Sequence, residues 1–196
     1  MSPLSQPVRG RATAASGARR QRAVAAAREI ASEGGYEAVS MGEVARRSGV
    51  SRATLYRYFS SKNELLVEVS LDFNARLHEE LERHPPQGAS VGERLVDVFT
   101  RVVRAAAADP RLLAATLRAF FANEPDVHAL APEVRRFGGV FVDLGLGGID
   151  VPGGADIARV LGPFSLAMVI RISSGLSDLE QALEEIRVAV RLLVKE

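Results

Sequence analysis

Residues 49–66, GVSRATLYRYFSSKNELL, gather side chains that form strong hydrogen bonds to anions. Two of the chain's three tyrosines, Tyr56 and Tyr58, flank Arg57, and Arg52 lies just upstream. An arginine offers a planar fork of N–H donors that fits a guanine edge or a phosphate, and a tyrosine hydroxyl can donate to a phosphate oxygen while its ring stays packed. The residue types therefore indicate contact with a polyanion. The alternative for both tyrosines is ordinary half-buried packing.

Such side chains need a short helix to present them, and the sequence predicts a helix-turn-helix here. A short helix is predicted over 41–47, a glycine-containing turn over 48–50, and a further helix from the Ser51 cap to about Phe59. Helix starts are marked by a serine three residues before a glutamate, the signature of a capping box. The pairs are Ser40/Glu43, Ser61/Glu64, Ser90/Glu93 and Ser177/Glu180.

The other elements are also predicted to be helices, which makes the fold class all-α. Their predicted spans are 18–32, 61–83, 91–108, 110–122, 126–144, 155–174 and 178–194. The glycine-rich segment 137–156 is the least regular, and a helix end followed by a loop is favoured there over a strand because no partner strand is visible.

The predicted third helix has two different sides. Its apolar residues are expected to pack a small core with those of the helix before it, and these are Val44, Ala45, Val50, Leu55 and Phe59. The opposite side is short, polar and basic, which suits the major groove of DNA. On that side the methyl groups of Ala53 and Thr54 can meet a thymine methyl, and Lys62 at the next helix start favours a phosphate. Arg57 can contact DNA or form an ion pair with the rest of the protein.

Charge is distributed unevenly along the chain. Residues 1–62 hold eleven basic and four acidic residues, whereas residues 63–196 hold fourteen and twenty. This asymmetry favours an N-terminal part that binds a polyanion and a larger C-terminal part that does not. The alternative is a chance excess of surface arginine. We expect three parts: a disordered basic arm (1–17), a DNA-binding domain (18–64, with its motif at 40–59) and a larger domain (65–196).

A family resemblance can be named on the residues EGGYEAVSMGEVARRSGVSRATLYRYFSSKNELL. This stretch resembles the N-terminal domain of the TetR family of bacterial one-component transcriptional regulators, and the match covers about residues 18–66. The resemblance implies that the following residues contact DNA: Ser40, Arg52, Ala53, Thr54, Tyr56, Tyr58 and Lys62. The cap residue Ser51 is grouped with them.

One position departs from a pattern seen in that family, where position 42 can carry a base-reading arginine. This chain has Gly42, so base reading would come from elsewhere, such as Arg52 or the arm. Three arginines near the first helix, Arg19, Arg20 and Arg22, can accompany such an arm into an adjacent minor groove. The alternative is a solvated tail without a specific role.

The resemblance also implies a homodimer whose C-terminal domain binds a small molecule and thereby changes the spacing of two recognition helices. Apolar stripes on the last two predicted helices are expected to form the dimer interface, with the monomer's own core as the alternative. The stripe residues are Leu166, Val169, Ile172, Leu179, Leu183, Ile186, Val190 and Leu193.

A ligand pocket is expected among the larger apolar side chains of the same domain, although each of them can equally be plain core. The candidates are Phe99, Thr116, Phe120, Phe121, Phe137, Phe141, Phe164 and Met168. Arg118, Arg171 or the pair Arg135/Arg136 can hold an anionic ligand group, and a solvated role is favoured for the pair. A hydrophobic effector, lipid-like or an acyl thioester, is favoured over a sugar or a metal.

Enzymatic function is not indicated. The chain has no cysteine, its three histidines lack metal-ligand spacing, and no G-x-S-x-G motif occurs. No cofactor is expected, and the lack of a signal peptide or a long apolar run indicates a cytoplasmic protein. The sequence thus predicts a repressor released from a palindromic operator by its ligand. A ligand-dependent activator and a non-specific architectural DNA-binding protein are the alternatives, and the acidic body argues against the second.

Overall fold

The computed structural model describes residues 14–194, and all regular elements in that range are α-helices. In chain order they are α1 (Ala14–Ala38), α2 (Met41–Ser48), α3 (Arg52–Tyr58), α4 (Lys62–Arg83), α5 (Val91–Ala107), α6 (Pro110–Phe120), α7 (Pro125–Leu146), α8 (Gly154–Ser173) and α9 (Leu179–Leu193). The predicted all-α fold class is confirmed. The disorder predicted for the arm concerns mainly residues 1–13, which lie outside the described residues, while residues 14–17 belong to α1.

The first three helices form the predicted helix-turn-helix. α1 is interrupted at Gly35, whose φ of 69° and ψ of −165° are not helical, and the sequence predicts the first helix to stop at this Gly34-Gly35 pair. The turn between α2 and α3 passes through Gly49 at φ 65°, a left-handed conformation that glycine adopts without steric cost. The hydroxyl of Ser51 accepts a hydrogen bond from the Thr54 backbone N–H and so caps α3.

The capping pattern is correct at three of the four predicted positions. Ser40, Ser61 and Ser90 each cap a helix, but only at Ser90 does the glutamate also reach back to the cap residue. Ser177 does not cap α9, because Asp178 occupies the cap position and accepts from the Gln181 N–H. Asp and Ser are comparably good caps, so adjacent candidates are difficult to rank from sequence.

Two buried apolar clusters hold the helices together. The first joins α1–α4 to α6 and the beginning of α7, and the second joins the end of α4 to α5, α7, α8 and α9. Four of the five predicted core residues of the helix-turn-helix belong to the first cluster and Ala45 packs against it, with Leu55 and Phe59 essentially inaccessible. α4, α6 and α7 contribute to both clusters and so connect the helix-turn-helix to the larger helical body.

α7 and α8 approach each other unusually closely. A Cβ placed on Gly138 would lie only 2.8 Å from the Cα of Gly162, so both positions require the absence of a side chain. α7 continues to Leu146 and ends at Gly147 with φ 63°. The segment 137–156 is therefore a helix end followed by a turn and the start of α8, as favoured by the sequence. Among residues 14–194, no helix combines the length and apolar character that crossing a bilayer requires.

Candidate DNA-binding face and ligand cavity

α3 places a row of polar residues in solvent while Leu55 anchors it from below. Leu55 is fully buried, and the adjacent Tyr56 is 52% exposed. We call the exposed set the reading face, and it consists of Ser51, Arg52, Ala53, Tyr56 and Arg57. Thr54 is half-buried, and its hydroxyl accepts a hydrogen bond from Ser51 at 2.9 Å. The sequence-predicted contact residues of α3 therefore share one accessible surface, apart from the half-buried Thr54 and Tyr58.

Arg52 occupies the space beside Gly42. Its guanidinium carbon lies 3.9 Å from where a Cβ would stand on Gly42, and the Ser40 hydroxyl oxygen is equally close to that point. A side chain at position 42 would share this space with Arg52. The arginine on α3 thus lies next to the position that the resemblance associates with base reading.

Tyr58 is tied to the first helix through its hydroxyl. The Tyr58 and Ser16 hydroxyl oxygens are 2.8 Å apart, and the Tyr58 ring packs edge-on to Phe59. The hydrogen bond with Ser16 is the main cause that lowers the pKa of Tyr58, and the nearby charges of Arg19 and Arg57 act in the same direction. The hydroxyl is therefore placed among cations, an environment that also suits a phosphate.

The three arginines of α1 have different surroundings. Arg20 forms an ion pair with Glu68, and its guanidinium lies 5.2 Å from the Phe59 ring centroid. The Arg22 Nε donates to the Ser48 carbonyl at 3.2 Å. These two side chains brace α1 against α4 and α2, whereas Arg19 is exposed without an ion pair among the described residues. A groove contact by these residues stays a prediction.

Lys62 turns toward the protein in this structure. Its ammonium donates to the Tyr36 carbonyl at 3.2 Å and lies 3.7 Å from that ring's centroid. Burial is the main cause that lowers the pKa of Lys62, the charge of Arg118 adds to it, and Glu37 opposes it. Arg118 lies over the same ring at 4.0 Å and pairs with Glu37 at 2.7 Å. Arg118 is thus a surface contact of the helix-turn-helix and is not among the residues that line the large cavity described below.

The other arginines predicted to contact DNA or a ligand also differ from one another in their surroundings. Arg57 is exposed and has no ion-pair partner within residues 14–194, so a contact with the protein's own body is not what the structure shows. Arg171 forms an ion pair with Glu185 and does not line the large cavity between α4 and α8 that is described below. Arg135 and Arg136 line the cavity and are exposed to solvent at the same time.

The cavity itself has a volume of about 720 Å³ and is lined by residues of α4–α8. Half of the predicted pocket residues line it, namely Thr116, Phe120, Phe137 and Phe141. The other half do not: Phe99 and Met168 are buried in the second core cluster, Phe121 is exposed, and Phe164 lines a shallow surface depression. Wall residues that sequence reasoning missed include Phe73, Asn74, Val102, Leu112 and Val134, whose helical periodicity marks them only as core.

Three of the four uncharged polar side chains on the cavity wall donate hydrogen bonds to carbonyls of their own helices. The Ser165 hydroxyl donates to the Gly162 carbonyl at 2.8 Å, and the Thr116 hydroxyl to the Leu113 carbonyl at 3.0 Å. The Asn74 side-chain amide donates to the Ser70 carbonyl at 2.9 Å. The interior therefore has little to offer a polar ligand group, while the arginine pair can meet an anion.

Five of the eight residues predicted for the dimer stripe lie in the core or line the cavity. Leu183, Ile186 and Val190 are at most 2% exposed and belong to the second core cluster. Leu166 and Val169 line the cavity, and Ile172, Leu179 and Leu193 are half-buried against the same cluster. For Leu183, Ile186 and Val190 the subunit's own core is therefore the structural role, because an amphipathic helix buries its strongest apolar stripe first. A dimer contact through the half-buried Ile172, Leu179 and Leu193 stays a prediction.

A second apolar surface lies on the outer side of α8 and α9. Its exposed members are Val160 at 46%, Val188 at 36% and Leu192 at 74%. A shallow depression beside them is lined by Phe164, Ala189 and three acidic or amide residues. Large apolar groups in solvent on adjacent helices are typical of a protein contact surface.

Two family profiles match the chain. Residues 23–69 match "Bacterial regulatory proteins, tetR family", and residues 88–193 match "Tetracyclin repressor-like, C-terminal domain". The first match contains α2 and α3 whole, and the second covers α5–α9.

Individual relatives agree with these profiles. The chain is 31% identical over 177 residues to the HTH-type transcriptional repressor KstR of Mycobacterium tuberculosis, covering 90% of this chain and 80% of the relative. It is 40% identical over 119 residues to KstR of Rhodococcus jostii, where the match spans 59% of this chain and only 54% of the relative.

Solved structures show the same fold. A TetR transcriptional regulator from Rhodococcus sp. RHA1 superposes with a TM-score of 0.77 at 29% identity, over 91% of this chain and 96% of that one. FadR of Thermus thermophilus, described as a TetR-family repressor in complex with lauroyl-CoA, superposes with a TM-score of 0.68 at 24% identity, over 90% and 96%.

Proposed function

The chain belongs to the TetR family of bacterial regulatory proteins, and on that premise we propose that it is a transcriptional repressor whose ligand releases it from DNA. The observation that carries this proposal is the 720 Å³ cavity, whose wall is built from the same helices that brace the helix-turn-helix. Leu112, Phe120 and Val134 contact both the cavity and the first core cluster. A ligand that displaces these side chains also acts on the packing of α3.

The reading face supports DNA as the partner. Arg52 and Arg57 are exposed on α3, and a seven-residue helix with small side chains at its start fits the major groove. Ser51, Tyr56 and Tyr58 surround them with hydroxyl donors suited to phosphates. In this proposal Arg52 reads a base, the hydroxyl groups hold the backbone, and Arg57 contacts a phosphate.

The outer face of α8 and α9 supports pairing with a second copy. Two recognition helices in a twofold dimer reach successive major grooves roughly 34 Å apart and so read a palindrome. Val188 and Leu192 on α9 and Val160 on α8 supply the apolar groups that such an isologous interface buries. We therefore assign the homodimer contact to this face.

The ligand class follows from the chemistry of the wall. A mainly apolar cavity suits a hydrocarbon chain or ring system, since the few polar groups inside already donate to backbone carbonyls. Arg135 and Arg136 are both wall residues and solvent-exposed, so they can meet the anionic part of a ligand whose apolar part is buried. The lauroyl-CoA complex of the Thermus relative is an example of such a molecule. We propose a lipid-like acyl thioester for this chain.

Selection of bound sequences from a random DNA pool tests the first part of the proposal. The full chain is expected to enrich a palindrome or pseudopalindrome with half-sites one helical turn apart. Enrichment of no sequence, with binding that salt abolishes for all DNA alike, would contradict sequence-specific regulation.

Titration of that DNA complex with lauroyl-CoA tests the second part. We expect DNA affinity to fall at least tenfold, whereas a rise would indicate the activator alternative. Gly139→Phe is the matched cavity variant, because a Cβ at Gly139 meets open space on the cavity wall. It should keep DNA affinity and lose lauroyl-CoA binding.

Replacing both Arg135 and Arg136 with glutamine should weaken the binding of lauroyl-CoA much more than the binding of uncharged dodecanol. Equal losses of affinity for the two ligands would contradict the anion-binding role of the arginines.

A further inference from the structure

The structure carries a direct polar link between the corner that joins α6 to α7 and the first turn of α4. We propose that Glu124 at this corner is the positioning residue through which occupancy of the cavity reaches the recognition helix. The inference rests on the proposed function for its ligand and DNA, although the contact itself does not. We call the three residues Ser61, Asn63 and Glu124 the α4 clasp.

Both carboxylate oxygens of Glu124 are used in the clasp. The Ser61 hydroxyl donates to one at 2.9 Å, and the Asn63 side-chain amide donates to the other at 2.7 Å. The Tyr36 hydroxyl in turn donates to the Asn63 side-chain oxygen at 2.7 Å. Asn63 is only 9% exposed, so its hydrogen bonds are poorly replaced by water. The clasp thus connects α1, α4 and the start of α7.

On the cavity side, the clasp is separated from the ligand wall by a short, well-bonded turn. Phe120 lines the cavity as the last residue of α6, and only three residues lie between it and Glu124. The Glu124 N–H donates to the Ala122 carbonyl at 2.9 Å, and the Ala122 N–H to that of Ala119 at 3.1 Å. Just beyond, Val127 is buried in the first core cluster. Because these hydrogen bonds make the turn between Phe120 and Glu124 rigid, a ligand that shifts Phe120 also moves Glu124.

On the DNA side, the clasp holds the joint between α3 and α4. Ser61 caps α4 and is separated from Phe59, the cap that ends α3, by one residue. That intervening residue, Ser60, is hydrogen-bonded to Asp126 of α7 as well. Two consecutive residues of the α3–α4 joint, Ser60 and Ser61, are therefore hydrogen-bonded to carboxylates at the start of α7. Movement of Glu124 with these hydrogen bonds intact would pull the start of α4, and the reading face with it.

A purely stabilising contact would have the same geometry, so the test must separate coupling from stability. Glu124→Gln keeps the size of the side chain but leaves one acceptor oxygen for two donors. Asn63→Asp is a second isosteric variant that keeps the acceptor for Tyr36 and places a carboxylate against Glu124. The matched control is Glu79→Gln, which makes the same charge change at an exposed position of α4.

Hydrogen–deuterium exchange of the ligand-free full chain tests the contact without assuming any ligand. Both clasp variants should speed exchange together at the α3–α4 joint and at the α6–α7 corner, and leave α8 and α9 as in the control. Faster exchange confined to the mutated turn, or exchange unchanged from the control, would overturn the inference.

Coupling is then measured as the factor by which saturating lauroyl-CoA weakens binding to the selected DNA. We expect at least tenfold in the wild type and in Glu79→Gln, and less than threefold in Glu124→Gln and Asn63→Asp. The separate affinities of the clasp variants for lauroyl-CoA and for DNA should stay within about threefold of wild type. An undiminished coupling factor would overturn the inference. If the wild type binds no lauroyl-CoA, the proposed ligand class fails instead, and the exchange experiment alone decides on the clasp.

Discussion

The hydroxyl oxygens of Ser16 and Tyr58 lie 2.8 Å apart, so the last residue of the recognition helix is hydrogen-bonded to the first turn of α1. The contact bridges 42 positions in sequence. It places the Tyr58 hydroxyl at the edge of the reading face before any DNA is present. A phosphate oxygen can then either join this pair or replace Ser16, and the two residues can be tested separately.

Tyr58→Phe is expected to weaken binding to all DNA sequences by about tenfold, because it removes one donor to a charged oxygen, worth roughly 1.5 kcal/mol. Ser16→Ala removes the internal partner and leaves the Tyr58 hydroxyl available, so DNA affinity should stay within about twofold. Fluorescence anisotropy with the selected operator and with scrambled DNA measures both. Equal losses in the two variants would mean that the hydroxyl serves only to fasten α1.

Arg52→Ala is expected to act differently, through sequence preference. A lost bidentate contact to a guanine costs about 1–3 kcal/mol at one base position and leaves non-specific binding largely intact. Repeating the DNA selection with this variant should therefore relax one position in each half-site. Gly42→Ala is a useful control, since the added Cβ would stand at an ordinary contact distance of 3.9 Å from Arg52. A uniform loss at every sequence would reassign Arg52 to phosphate binding.

The helices and the helix-turn-helix were accessible from the sequence because their signals are local. Ser40 and Ser51 act on backbone N–H groups three residues away, and Gly49 supplies its own turn. The relationships that join distant segments were not accessible in this way. Nothing in the sequence connects Glu124 to Asn63, because each is an ordinary polar residue near a helix start and only the packing of α7 on α4 brings them together.

Part of the predicted dimer stripe lies in the subunit's own core for a related reason. Periodicity shows that α9 has an apolar side but not which neighbour covers it, and Leu183 and Ile186 are covered by the subunit's own core. For the same reason only half of the predicted cavity residues line the cavity. Phe137 and Phe99 are equally apolar, and they differ only in whether empty space remains beside the side chain. Empty volume is a property of the assembled helices and leaves no mark on any single residue.

Neighbouring glycines in α7 should respond to alanine with opposite signs. Gly138→Ala forces a methyl group into the Gly162 backbone, an overpacking cost of about 1–3 kcal/mol that exceeds the gain of roughly 1 kcal/mol in helix propensity. Gly139→Ala gains the same propensity without a clash and should raise the free energy of unfolding by up to about 1 kcal/mol. Urea unfolding followed by circular dichroism measures both. Stabilisation by both substitutions would show that α7 and α8 are not in close contact at this crossing.

The outer face of α9 and its inner face should likewise respond in opposite ways. Leu192 is 74% exposed, so Leu192→Lys should leave the fold intact and convert the proposed dimer to a monomer by placing two charges in its proposed apolar interface. Ile186 is 1% exposed, and Ile186→Ala should lower the free energy of unfolding by about 2–5 kcal/mol without redirecting assembly. Sedimentation velocity gives the oligomeric state and thermal unfolding gives the stability, both at one fixed protein concentration. A Leu192→Lys variant that stays dimeric with unchanged affinity between its subunits would place the interface elsewhere. An Ile186→Ala variant that is folded but monomeric would instead place the dimer interface on the inner side of α9.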